Sequence, residues 1–188
     1  DIRKDSLYCD RADNVRRQSA RTVLDILFDR LTSWLAPIIC FTAEEAWLAR
    51  HPGDEESVHL RLFPDVVDAW RDDALAEKWA AIREVRGVVT GALEVARNEK
   101  TIGSSLQAAP VVYLSDDRFD RLEGVDMSEV CINSAIELRR GKAPDEAYAQ
   151  PDVMGVEVVF GAADGGKCDR CWMVLEDVGS DAEYPEVC

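Results

Sequence analysis

Between Asp73 and Thr101 the apolar residues Leu75, Trp79, Ile82, Val85, Val89, Leu93 and Ala96 recur at steps of three and four. That period puts them on one stripe of an α-helix, and a stripe so long has to be covered by something. Asp72 and Asp73 stand where the positive end of a helix dipole favours acid, so the sequence predicts a helix from 73 to about 101. Val23, Ile26, Leu27, Leu31, Trp34, Leu35 and Ile38 repeat the pattern over 15–39, with Pro37 near the end. Thr42-Ala43-Glu44-Glu45 has the spacing of a capping box and predicts a shorter helix from Ala43 to about Arg50. Three such helices make a bundle, with Trp34, Trp47 and Trp79 expected in its core. Residues 52–57 read as a polar turn, and Val58 to Phe63 as loop with a short extended segment ahead of Pro64.

Past Gly103 the character of the chain changes. Residues 110–114 are β-rich, 117–124 suit a short helical turn, and both 130–138 and 156–160 suit strands. The expected fold is therefore mainly α: a helical bundle over 1–107, a small mixed α/β unit over 108–162 and a tail over 163–188. Gly103-Ser104-Ser105 links the first two parts, and the glycine-rich run 161–166 precedes the tail. Neither an internal repeat nor a low-complexity tract is present.

With 188 residues, 47% hydrophobic and 31% charged, the chain can bury one good core or two small ones, which excludes a rod or a random tail. Its longest apolar run, Trp34 to Phe41, contains a proline and falls far short of the ~20 residues a bilayer crossing requires. It opens without an initiator methionine or a basic-then-apolar leader and stops on Cys188, as expected of a piece trimmed from a larger polypeptide. A net charge of −15 argues at first against nucleic acid. The distribution softens this, because residues 101–188 hold seven basic side chains against eighteen acidic ones and residues 1–50 are neutral. Arg16, Arg17 and Arg21 bunch on one predicted helix and Arg83, Arg86, Arg97 and Lys100 on another; plain solvated helix surface is the alternative reading of both groups.

Six cysteines without a leader or a dense framework suggest reduced thiols in a cytosolic setting, and Cys9, Cys40 and Cys131 read as small core residues. Lys167-Cys168-Asp169-Arg170-Cys171-Trp172 is the most specific local signal. Two sulfurs at C-x-x-C spacing lie on one tight knuckle and can reach a single zinc ion at ~2.3 Å, and Cys188, after sixteen intervening residues, suits the return. A redox pair is the alternative, although Gly165-Gly166 before the motif and Trp-Met-Val-Leu after it look like hairpin arms rather than a strand entering a helix. A structural zinc takes four protein ligands, and Cys168, Cys171 and Cys188 supply three. His51 and His59 read as ordinary surface imidazoles. Trp172, placed by the knuckle, could stack on a base or simply pack. No Gly-rich phosphate loop, G-x-S-x-G or H-E-x-x-H occurs, so no catalytic site is expected in this stretch.

Several segments together resemble the C-terminal region of bacterial isoleucyl-tRNA synthetases. They are Asp1-Ile-Arg-Lys-Asp-Ser-Leu-Tyr8, Leu35-Ala-Pro-Ile38 with Phe41-Thr-Ala-Glu-Glu-Ala-Trp47, Ser57-Val-His-Leu60 with Phe63-Pro64, Ala92 to Arg97 with Lys100-Thr-Ile-Gly-Ser-Ser-Leu106, and Lys167 to Trp172. The resemblance implies a class I helical anticodon-binding bundle, a small α/β junction and an incomplete zinc ribbon, whose fourth ligand follows the third in a second C-x-x-C. It further implies one zinc ion on Cys168, Cys171 and Cys188, and a zinc-binding end that helps hold the anticodon stem-loop of isoleucine tRNA. Beside the resemblance, the physics of single-stranded loops makes Arg170 and Trp172 on the knuckle candidates for base contact, and Arg97 and Lys100 near the end of the long helix candidates for the backbone. The family's HIGH and KMSKS signatures and its editing domain are not in this stretch, so ATP-dependent ligation is expected of other parts of the same polypeptide, a cytoplasmic monomer. An acidic protein-interaction scaffold and the equivalent region of a valyl-tRNA synthetase are the rival expectations.

Overall fold

A computed structural model describes residues 2–53 and 56–188; Asp54 and Glu55, inside the expected polar turn, lie outside the described residues. Two compact units result, Ser6–Arg71 and Asp72–Cys188, the second joined by the start of the chain up to Asp5. The fold is mainly helical with small sheets. None of the described helices is long and apolar enough to cross a membrane.

In Ser6–Arg71, helix α2 (Val15–Leu35) starts where the Asn14 side chain accepts a bond from the Arg16 amide at 2.8 Å, and it stops short of Pro37. Helix α3 begins at Cys40 and runs to Arg50. Thr42 and Glu45 therefore already lie inside the helix, and the expected capping box does not form; Ile39 at the cap offers no side-chain bond. Glu44 takes on a different task, accepting bonds from Ser57 Oγ (3.1 Å) and the Val58 amide (2.9 Å). These bonds hold Val58–Leu60, a 3₁₀ turn rather than an extended segment, against α3. Ala36, Ala43, Trp47 and Val58 form the small core with Phe28 and Leu48 beside them.

The stripe of α2 is not buried as expected. Val23, Leu27, Leu31, Leu35 and Ile38 are exposed, and Trp34, read from the sequence as core, is 40% exposed. The reason is length: the eleven residues of α3 cannot cover a helix of twenty-one, and the buried positions of α2 are Thr32 and Ser33 near its C-terminal end.

In Asp72–Cys188, helix α4 (Asp73–Asn98) is capped by Asp72, whose carboxylate accepts from the Leu75 amide at 2.9 Å. Its stripe does find a partner. Ile82, Val85, Val88, Val89, Ala92, Leu93 and Ala96 share one core with Val112, Leu114, Val156 and Val158, while Trp79 is partly buried against it. Strands β1 (Val111–Leu114), β2 (Glu137–Arg140), β3 (Tyr148–Ala149) and β4 (Val156–Val159) form a sheet in the order β2-β1-β4-β3. β1 pairs parallel with β2 (Val112 opposite Leu138) and antiparallel with β4 (Val112 opposite Val158), and β3 pairs antiparallel with β4. The two-residue alternation turns Val112, Leu114, Val156 and Val158 to the buried side. Gly91 makes the approach of α4 to β3 possible, since a Cβ there would lie 2.5 Å from the Tyr148 hydroxyl. The change of character at 107/108 thus lies inside a continuous core: α4 and the sheet bury their apolar faces on one another.

The stretch read as a strand from 130 to 138 divides in two. Asp126 accepts from the amides of Ser128 (3.0 Å) and Glu129 (3.2 Å), which starts helix α6 (Met127–Cys131) after helix α5 (Asp116–Arg121). Ile132 turns left-handed at φ 60°, and only then does β2 begin.

Of the three lone cysteines, Cys131 alone is a core residue; Cys9 is half-buried and Cys40 exposed. Burial pushes the Cys131 thiol up to about 12, against a smaller opposing pull from Arg86. The folded state therefore holds this proton more tightly than the unfolded chain. The resulting stability is complete below the ordinary thiol value of 9.0 and is lost as pH rises towards 12. In a native-state titration with a thiol reagent at pH 8, Cys40 is expected to react promptly and Cys131 only after denaturant is added. Equal rates for the two would refute this burial.

Candidate metal centre and nucleic-acid interface

The tail is built on a minimal hairpin, β5 (Gly166–Lys167) paired antiparallel with β6 (Val174–Leu175). Gly165 enters it at φ +117°, where a Cβ would stand 2.2 Å from the Leu175 carbonyl oxygen, so no other residue fits the approach. Between the strands the chain folds into a knuckle. The Cys168 amide donates to the Met173 carbonyl (2.8 Å), the Trp172 amide to the Cys168 carbonyl (2.9 Å) and the Cys171 amide to the Cys168 sulfur (3.5 Å). The Asp169 amide donates to the Glu186 carbonyl at 2.9 Å, drawing the last residues back alongside the knuckle.

Three sulfurs converge there. Cys171 Sγ and Cys188 Sγ are 3.7 Å apart, and the Sγ atoms of Cys168, Cys171 and Cys188 all lie within 4.8 Å of one another. Ligands at ~2.3 Å on a tetrahedral zinc are spaced about 3.8 Å apart, so the cluster has the dimensions of a zinc site. Among the described residues it is the one group of metal-type donors brought together in this way. His51 is not among them; it caps α3 and stacks on Trp47 at 4.2 Å.

The electrostatics suit thiolate ligation. Burial works to raise the Cys168 thiol, but the backbone hydrogen bonds of the knuckle outweigh it and bring the group down to about 6. Cys171 is pushed up to about 12 by burial and by its sulfur neighbours, and Cys188 is raised by burial and by Cys168. One thiolate thus forms readily, and the other two sulfurs keep their protons until a cation replaces them. These donors fit zinc, which when bound supplies the cross-link that so short a hairpin lacks.

One buried hydroxyl docks the tail. Ser134 Oγ accepts from the Val174 amide at 2.7 Å and donates to the Leu106 carbonyl. Its neighbour Asn133 donates from Nδ2 to the Ser105 carbonyl at 3.1 Å. The Gly103–Leu106 run is thereby tied to the tail. Sequence reasoning passed over both residues, because they fell inside the segment expected to be a strand from 130 to 138 and their partners are distant in the chain.

Trp172 sits at φ +67°, costly for a bulky side chain, and its indole is 53% exposed. Arg170, beside it on the knuckle, is also exposed. Arg97 lies in the last turn of α4 and Lys100 just past its end: both are exposed, Arg97 pairs with Glu94, and Lys100 turns left-handed at φ 61°. Lys4, which no sequence signal marked, places its Nζ 4.4 Å from the Trp172 ring centroid.

A family model described as the anticodon-binding domain of tRNA ligase matches residues 1–113, and one described as a zinc finger found in FPG and IleRS matches residues 165–188. This chain belongs to the tRNA-ligase anticodon-binding family. Similar curated proteins include the isoleucine–tRNA ligases of Brucella abortus, 52% identical over 188 residues, and of Agrobacterium fabrum, 51% identical over the same length. That of Rhodopseudomonas palustris is 50% identical over 191 residues. All of this chain is covered each time, but only 19% of the relative, so the chain spans about a fifth of the length of the curated relatives it matches. As a member of an anticodon-binding family, the chain is placed with tRNA recognition. The zinc-finger match falls on the three-cysteine cluster, and the family match takes in α4 with Arg97 and Lys100.

Proposed function

We propose that this chain is the tRNA-recognising part of an isoleucine–tRNA ligase, holding the anticodon stem-loop of isoleucine tRNA while ATP-dependent aminoacylation and editing take place in the rest of a longer, cytoplasmic and monomeric protein. The observation that carries the reading is the likeness, at about half identity, between all 188 residues and isoleucine ligases from several bacteria. Neither the scaffold reading nor the valyl one accounts for it. Cys168, Cys171 and Cys188 are the zinc ligands in this reading, with the fourth supplied by sequence that follows in the longer protein. The division at 107 and 162 then separates anticodon helices, junction and zinc tail by role.

Single-stranded loops are gripped by bases lying on aromatic or guanidinium planes and by cations on the phosphates. Trp172 and Arg170 take the first task and Arg97 and Lys100 the second. Trp172→Ala is expected to weaken binding of isoleucine tRNA by about 1–3 kcal/mol, the usual worth of one base–aromatic stack. Lys100→Gln is expected to lower the slope of log affinity against log salt by about 0.7. Filter binding over a salt series, with isoleucine and valine tRNAs side by side, tests both effects and the function itself. Equal affinity for the two tRNAs would defeat the isoleucine assignment, and unchanged behaviour of either variant would remove that residue from the interface.

A further inference from the structure

Two lysines from opposite ends of the chain meet at one indole. Lys4 Nζ, on the short helix α1 (Lys4–Tyr8), lies 4.4 Å from the Trp172 ring centroid, and Lys167 Nζ, on β5, lies 5.7 Å from the same ring. Both lysines are exposed, and among the described residues neither ammonium has a carboxylate within 4.0 Å. In a chain with 37 acidic side chains that is informative. Arg3, the residue before Lys4, is locked to Glu129 on α6 by two bonds at 2.7 and 2.8 Å. That pair ties down the chain one residue ahead of Lys4, so Lys4 is presented to the indole rather than left to wander.

Resting on the reading of Trp172 as a base platform, we infer that Lys4 and Lys167 bind the phosphates flanking the stacked base, making Lys4 and the knuckle one single-stranded RNA subsite. The physical case has three parts. Each lysine is a point charge on a flexible four-carbon stem, able to leave the ring for a phosphate as a base takes its place. While no RNA is bound, the cation–π contact keeps both ammonium groups at the platform instead of in bulk solvent. The left-handed backbone of Trp172, fixed by the hydrogen bond from its amide to the Cys168 carbonyl, holds the indole within reach of both. A phosphate arriving here meets two lysine ammonium groups gathered at one ring in a strongly acidic chain, which turns a sequence-blind charge attraction into a localised one.

The test is equilibrium binding of a fluorescein-labelled anticodon stem-loop of isoleucine tRNA to the zinc-loaded chain across a salt series. Wild type, Lys4→Gln, Lys167→Gln, the double variant and Trp172→Ala are compared. Matching zinc content and thermal unfolding certify that all five are folded. Each single lysine variant should lower the salt slope by about 0.7 and the double variant by about 1.4, whereas Trp172→Ala should weaken binding with the slope unchanged. Lysine variants with wild-type slopes, beside a weakened Trp172→Ala, overturn the subsite and leave the anticodon reading standing. Weaker binding at an unaltered slope makes the lysines mere braces of the indole and also overturns it. A wild-type chain that fails to bind the stem-loop brings down the anticodon reading and the subsite together.

Discussion

Replacing Cys168 by Ala is expected to abolish zinc retention and unfold the tail from Gly166 onward while α4 and its sheet stay folded. The tail has almost no core of its own: its two strands are two residues each, and Cys168 is its one fully buried side chain. A two-stranded hairpin is marginal in water even when longer than this. Its folding free energy has to come from metal, worth about 10–16 kcal/mol in small zinc modules. Cys168 is the sulfur that matters most, because it accepts the Cys171 amide and is the thiol held down to about 6, hence the first thiolate to form. Cys171 and Cys188 still hold their protons at neutral pH, so zinc must displace them, and affinity of the wild type should climb as pH rises from 6 to 8. Metal content after gel filtration and amide exchange over Lys167–Leu175 read the two effects. One zinc per chain retained by Cys168→Ala, or an affinity flat across that pH range, would overthrow the three-thiolate centre.

What could be read from the residues alone divides by the distance over which the physics acts. Cys168-x-x-Cys171 was legible because a knuckle is local: four residues set the sulfur spacing, and the glycine before it and the β-formers after it supply the hairpin. Asp72 as the cap of α4 was legible for the same reason. The Asp126 cap was local as well, but the apolar run after it looked like a strand and hid the one-and-a-half turns of α6. Nothing local could reveal that Ser134 bridges Leu106 and Val174, or that Lys4 reaches Trp172 from the other end of the chain. Periodicity in turn identifies a face without naming what covers it. The stripes of α2 and α4 look alike in sequence, yet α4 is buried on a sheet and most of the α2 stripe is exposed.

The partner of α4 can be tested through stability. Leu93→Ala should cost roughly 2.7–5.0 kcal/mol, since Leu93 is almost wholly buried and a helix clamped on a sheet relaxes little into the space left behind. Against the roughly 5–15 kcal/mol of a typical domain, that loss moves a urea midpoint far enough to measure with confidence. The informative comparison is with Val158→Ala on β4, a residue of the same core. If both side chains line one continuous apolar layer, the double variant should be less destabilised than the two single losses combined, by about 0.5–3 kcal/mol, because the second truncation enlarges a cavity already opened. Additivity within about 0.5 kcal/mol would mean that the two sites share no partners and that α4 buries its stripe elsewhere, as in the three-helix bundle the periodicity suggests. Arg97 rides on the last turn of this helix and Lys100 follows directly after its cap, so the helix's seat on the sheet also fixes where their charges are presented.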